Sequence, residues 1–155
     1  MEIDELMTGD WVLVNGIPMQ IQAINDIDGE IMAGDELYCL IEDRVHSEDK
    51  IEPIHPTAEI LEKNGFKEIK WDEFGEESSE GKPSNIFRCE LETKCLMIKI
   101  EVGIYEPNFV IISAPDDCGG EVEISNICKI DGSDIMLHEL QHIFKDCKID
   151  KKIVL

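Results

Sequence analysis

Apolar and polar positions alternate over most of the first fifty-odd residues. Trp11–Val14 and Pro18–Ile24 read as two strands around Asn15-Gly16, a dipeptide that favours tight hairpins because both positions tolerate positive φ. In the second strand Met19, Ile21 and Ala23 alternate with Gln20 and Gln22, the pattern of a strand with one face in a core. Further strands are expected at Glu30–Ala33, Leu37–Ile41 and Ile51–Ile54. The polar run Asn25–Glu30 suits a turn better than a calcium loop, since aligning Gly29 with the loop glycine puts Ile24 at the first ligand position. Short strands with turn signals between them predict a small SH3-like β-barrel over residues 1–56.

The pattern then changes. Pro56 keeps His55 extended, Thr57 can N-cap Ala58–Lys63, and Asn64-Gly65 ends that short helix, with Phe66 returning onto Leu61. After a strand at Phe66–Trp71, residues 75–85 contain no apolar side chain and are expected to form a mobile, protease-sensitive surface loop. Ile86–Leu91, Cys95–Val102 and Phe109–Ser113 read as an antiparallel meander, the middle segment alternating Leu96, Ile98, Ile100 and Val102 with polar positions. Glu121–Ile130 adds a strand or an irregular approach to a last helix, which Ser133 would cap, with Asp134 in its first turn. Ile153–Leu155 is a candidate terminal strand. The fold class expected is α+β: a barrel over 1–56, then a domain over 57–155 with a short helix, a meander and an amphipathic C-terminal helix packed on it.

Charge narrows the partners. The 155 residues carry 35 acids against 14 lysines and arginines, a formal net charge of −21. Residues 1–56 hold 14 of those acids and 2 of the bases. Such a surface opposes direct binding to nucleic acid or anionic lipid, both of which require cations to replace counterions. A protein partner is expected instead. The apolar content of 43% is that of a folded chain. No apolar run reaches the ~18 residues of a membrane span, and the acidic start is unlike a signal peptide, so a cytoplasmic protein is expected. The six cysteines form no Cys-x-x-Cys pair and are expected to be reduced, mostly buried thiols.

One motif with catalytic spacing occurs, His138-Glu139-x-x-His142. In zinc metalloproteases this spacing puts two imidazoles on one helical face with a carboxylate as general base. A third ligand is required, and Lys145 and Lys148 stand where the extended motif would have its glycine and third histidine. On a helical wheel Met136, Leu137, Leu140, Ile143, Phe144 and Cys147 occupy an arc of roughly 120°, whereas His138 and His142 fall opposite, beside Lys145. The two histidines are therefore expected in solvent, on the outer face of the helix, and no catalytic, cofactor or metal residue is assigned. Trp11 and Trp71 are expected in cores, His46 and His55 on a barrel strand and its exit. Asp116, Asp117 and Gly119-Gly120 read as an ordinary loop rather than a cation site.

Three stretches, Thr8-Gly9-Asp10-Trp11-Val12 with Asn15-Gly16, Ile51–Leu61 through Gly65-Phe66, and Leu137–His142, together resemble a group of uncharacterised short proteins of Bacteroidetes and their phages or mobile elements. The resemblance implies a two-part plan and no activity. It also implies that the His-x-Leu-Gln portion is kept while asparagine replaces the residue at His142. The function expected is a non-enzymatic, cytoplasmic binding or accessory protein of phage or mobile-element type, using the acidic barrel and the outer helix face. The alternatives are an acidic DNA-mimic inhibitor and, last, a zinc hydrolase through His138, Glu139 and His142.

Overall fold

The computed structural model describes residues 5–25, 27–39, 50–92, 97–104, 108–116, 118–129 and 133–155. Two units divide the chain, Met1–His55 with Met136–His142, and Pro56–Ile135 with Ile143–Leu155. The class is α+β, with two antiparallel five-stranded sheets and two helices among the described residues.

The first unit grows from its hairpin. Asn15 and Gly16, at φ 53° and 79°, form the turn between β1 (Trp11–Val14) and β2 (Ile17–Asn25). β3 (Glu30–Ala33), β4 (Glu36–Cys39) and β5 (Ile51–Pro53) complete the order β4-β3-β2-β1-β5. That order is open, with β4 and β5 at opposite ends. Val12, Val14, Ile21, Ile31, Ala33 and Tyr38 build the core. The simple alternation expected along β2 fails at Ala23, which is exposed, because the register slips between Ile21 and Ala23 and turns Ile24 inward instead. The 25–30 segment is the expected turn, closed by the Asn25 and Asp28 side chains. Residues 40–41 of the expected fourth strand, His46 and Cys95 lie outside the described residues.

In the second unit α1 (Ala58–Lys63) begins where Thr57 accepts the Ile60 N–H and ends in a left-handed Gly65 at φ 82°. The Phe66 and Gly65 N–H groups bond back to Leu61 and Glu62, and Leu61 and Phe66 are buried as that motif requires. Strands β6 (Lys67–Trp71), β7 (Lys82–Glu92), β8 (Met97–Gly103), β9 (Phe109–Pro115) and β10 (Glu121–Cys128) follow in the order β10-β9-β8-β7-β6. Phe87, Ile98, Ile100, Val102, Val110 and Ile112 make the buried face.

Several expectations change here. Residues 82–85 belong to β7, and the preceding segment is tied down rather than loose. Asp72 Oδ1 accepts the Phe74 and Glu76 N–H groups, Glu77 bridges Trp71, and Arg88 reaches Glu77. Gly81 is required there, since a Cβ would lie 2.5 Å from the Trp71 carbonyl group. Trp71 is no core residue, at 37% exposed, and Trp11 is only half-buried, because each sits at a strand end. Ile153 is buried, but 153–155 is not a strand. The Asn64 amide holds Val154 through both its N–H and its carbonyl, at 2.9 and 2.8 Å. Cys89 is buried, whereas Cys118 and Cys128 are exposed.

The last helix, α2 (Leu137–Asp146), starts later than Ser133 suggested. Met136 takes the cap position, and Glu139 reaches back to its N–H at 2.8 Å, half of a capping box without the serine. The free Leu137 N–H is satisfied by the Ile54 carbonyl at 2.7 Å. At the far end Lys148 sits at φ 55° where glycine is usual, with the Ile149 N–H bonded to the Phe144 carbonyl and the Lys148 N–H to that of Lys145. Lys148→Gly is accordingly expected to stabilise the chain by about 0.5–1 kcal/mol, read as a rise in the urea unfolding midpoint with unchanged slope.

Candidate functional site

A buried carboxylate has to find donors, and Asp10, at 3% exposed, finds two. Its Oδ2 accepts the Met7 N–H at 2.7 Å and meets His142 Nε2 at 2.7 Å. The turn that carries it is compact: the Asp10 N–H bonds to Met7, and Gly9, at φ 102°, donates its N–H to Ile21. Gln141, one residue before His142, serves the same turn with both ends of its amide. Its Oε1 accepts the Trp11 N–H at 3.1 Å, and its Nε2 donates to the Gly9 carbonyl at 3.0 Å, which Gln20 Nε2 also reaches at 2.8 Å. Residues 9–11 and 141–142 thus form one polar cluster within the first unit.

His138 lies one helical turn before His142, with ring centroids 5.7 Å apart and the planes at 66°. It is 5% exposed, and its Nδ1 is buried with no hydrogen-bond partner. Burial holds its pKa below the ordinary imidazole value, against the opposing pull of the Asp10 and Glu139 carboxylates. The expectation that both histidines face solvent is therefore overturned. The wheel located the apolar stripe correctly, since Leu137, Leu140, Ile143 and Phe144 are all buried, but it assumed a helix covered on one side only. In the first unit the turn at Met7–Trp11 meets the polar side of α2 through Gln141 and His142, so His138 is buried and Gln141 and His142 are half-buried.

This arrangement is poor for metal chemistry. His142 Nε2 is already engaged by Asp10, Glu139 caps its own helix, and among the described residues no group of three or more His, Cys, Asp or Glu is disposed to hold a metal ion. The other residues singled out from the sequence are not brought to this cluster, apart from Trp11, which joins through its backbone. His55 is exposed, Trp71 belongs to the second unit, and His46 and Asp117 lie outside the described residues. Asp116 Oδ1 is spent on the Cys118 and Gly120 N–H groups of its own turn, at 2.9 and 2.6 Å.

Sequence reasoning missed Asp10 and Gln141. Asp10 stands directly before an apolar strand and Gln141 between Leu140 and His142, so each was a polar residue beside core positions. Nothing in the spacing says that positions 130 residues apart share hydrogen bonds. In the second unit a shallow groove of about 190 Å³ is lined by Met97, Lys99, Ser113 and Glu121 with three further residues. Lys99 and Glu121 in its lining form an ion pair, which holds the Glu121 carboxyl below the usual range. No protein-family model, curated protein or solved structure matches the chain.

Gln141→Ala removes the side-chain bonds to the Trp11 N–H and the Gly9 carbonyl and is expected to cost about 1–3 kcal/mol, measured by urea unfolding. His138 gives a pH signature. Its unfolded imidazole takes up a proton near pH ~6.5 and the folded one only at lower pH, so between the two the unfolded chain binds more protons and stability falls as pH falls. His138→Phe should flatten the stability profile below about pH 6.5, and an unchanged slope would contradict the assignment.

Proposed function

We propose that this chain is a non-catalytic, cytoplasmic binding or accessory protein of the kind carried by phages or mobile elements, and that its partner is a protein. One observation carries the reading: of the side chains with catalytic spacing, His138 is buried, Glu139 caps its own helix, and His142 is engaged by Asp10 of the Met7–Trp11 turn. The phage or mobile-element origin rests on the three sequence stretches that suggested it, two of which supply the Asp10–His142 and Gln141–Gly9 contacts. We also read the first sheet as SH3-like. The order β4-β3-β2-β1-β5, with β1 between β2 and β5 and a register shift within β2, supports that reading.

A basic protein surface is the natural counterpart of a chain at −21. The outer face of α2 is withdrawn as a contact surface, at least at His138 and His142, because that face is covered. The test compares immobilised wild-type chain with a Glu36→Gln, Glu52→Gln variant. A partner captured by the first, weakened by salt and by the substitutions, supports the reading. A turnover abolished by Glu139→Gln in correctly folded protein overturns it. A partner released competitively by duplex DNA would instead make the chain an acidic DNA mimic.

A further inference from the structure

β10 is an edge strand of the second sheet. Among the described residues it pairs only with β9, so alternate backbone N–H and C=O groups along Glu121–Cys128 face away from the sheet. The opposite edge, β6, is partly closed by its own chain, since Glu77 bridges Trp71 and the Ser78 N–H bonds to the Lys70 carbonyl. β10 also lacks the lysines and prolines that usually protect an edge.

The register sorts its side chains into two rows. Val122, Ser125 and Ile127 stand opposite Ala114, Ile112 and Val110, on the face that forms the core of this unit. The core layer therefore runs out onto β10 and stops there uncovered: Val122 is 54% exposed, and Ile124, at the bulge, 49%. On the other face lie Glu121, Glu123, Asn126 and Cys128, opposite Pro115, Ser113, Ile111 and Phe109. Glu121 is balanced by Lys99, but the exposed Glu123 carboxylate is met by the neutral amide of Asn126.

The geometry points to strand addition at β10 by an extended basic segment of a partner protein. Its side chains would alternate, apolar residues continuing the Val122–Ile127 row and lysine or arginine facing Glu123. Backbone pairing supplies the attachment and the two rows supply the selectivity. A second copy of this chain fits less well. Pairing β10 with itself brings the Glu121 and Glu123 rows together, and like charges across a strand pair are destabilising. The inference rests on the reading of the chain as a binding protein and names the surface and the chemistry of the partner.

Cys128, exposed on β10, and Cys118, exposed in the preceding turn, provide an internal comparison. The full chain is alkylated with iodoacetamide alone and with an eight-residue peptide of alternating valine and lysine, and each site is followed by mass spectrometry. The peptide should slow Cys128 relative to Cys118, and a valine–glutamate peptide should not. Added salt should weaken the effect, and Glu123→Lys should raise the peptide concentration needed by about tenfold. Val122→Asn tests the apolar row separately, with folding checked by circular dichroism, and should also weaken binding. Equal protection by the acidic peptide, an unchanged Cys128 to Cys118 ratio, or indifference to Glu123→Lys overturns the proposal. Protection of Cys128 that grows with protein concentration and without peptide makes the occupant a second copy and also overturns it. If this surface fails while a physiological partner cross-links elsewhere on the chain, the broader binding reading survives; if no partner is found at all, both fall.

Discussion

The hydrogen-bonded carboxylate of Asp10 is the constraint around which the first unit closes. A carboxylate removed from water is tolerable only with donors in place. One donor is local, the Met7 N–H, and the other is His142, far away in sequence. Gln141 adds a second pair of bonds to the residues on either side of Asp10. Helix and turn must therefore arrive together, because either alone would leave buried polar groups unsatisfied. The apolar residues of the strands would accept many arrangements of similar burial, and these directional bonds select one.

The same bonds account for the fate of the motif that looks catalytic. A metalloprotease helix presents two imidazole nitrogens to an open site. Here one nitrogen is committed to Asp10, and the other ring is packed away with Nδ1 unpartnered. His138 serves as a polar packing residue, and its lowered proton affinity follows from that burial. A spacing of four residues on a helix reports only that two side chains share a face. What that face meets is a separate question.

The second unit raises the opposite issue, a core that is not entirely covered. Its meander buries Val110, Ile112, Ile100 and Val102 in the middle strands, and the apolar layer continues to Val122 and Ile127, beyond which no further strand pairs among the described residues. Natural sheets commonly protect such an edge with charge, and Glu121 and Glu123 deter self-pairing. On the strand-addition proposal that charge would favour a basic partner strand over an acidic one. At Lys148 and at Gly81 the unit accepts local conformational demands, a left-handed residue and a close backbone approach, where a turn must be tight.

What the chain settles by itself is whatever depends on neighbours in sequence. Asn15-Gly16 specifies a hairpin, Thr57 and Gly65 start and stop α1, and the alternation of Ile98, Ile100 and Val102 marks a core strand. Each of these rests on local backbone geometry or on a period of two, so each could be read from a few residues. Tertiary structure decided the rest. The bulge at Ile21–Ala23, the ordering of residues 72–81 through Asp72 and Glu77, the later start of α2 and the burial of His138 all depend on groups distant in the chain. A helical wheel locates the apolar side of α2 but not whether its polar side is wet. That depended on where Asp10 and the Gly9 carbonyl came to rest, and a sequence pattern contains periodicity but no such distances.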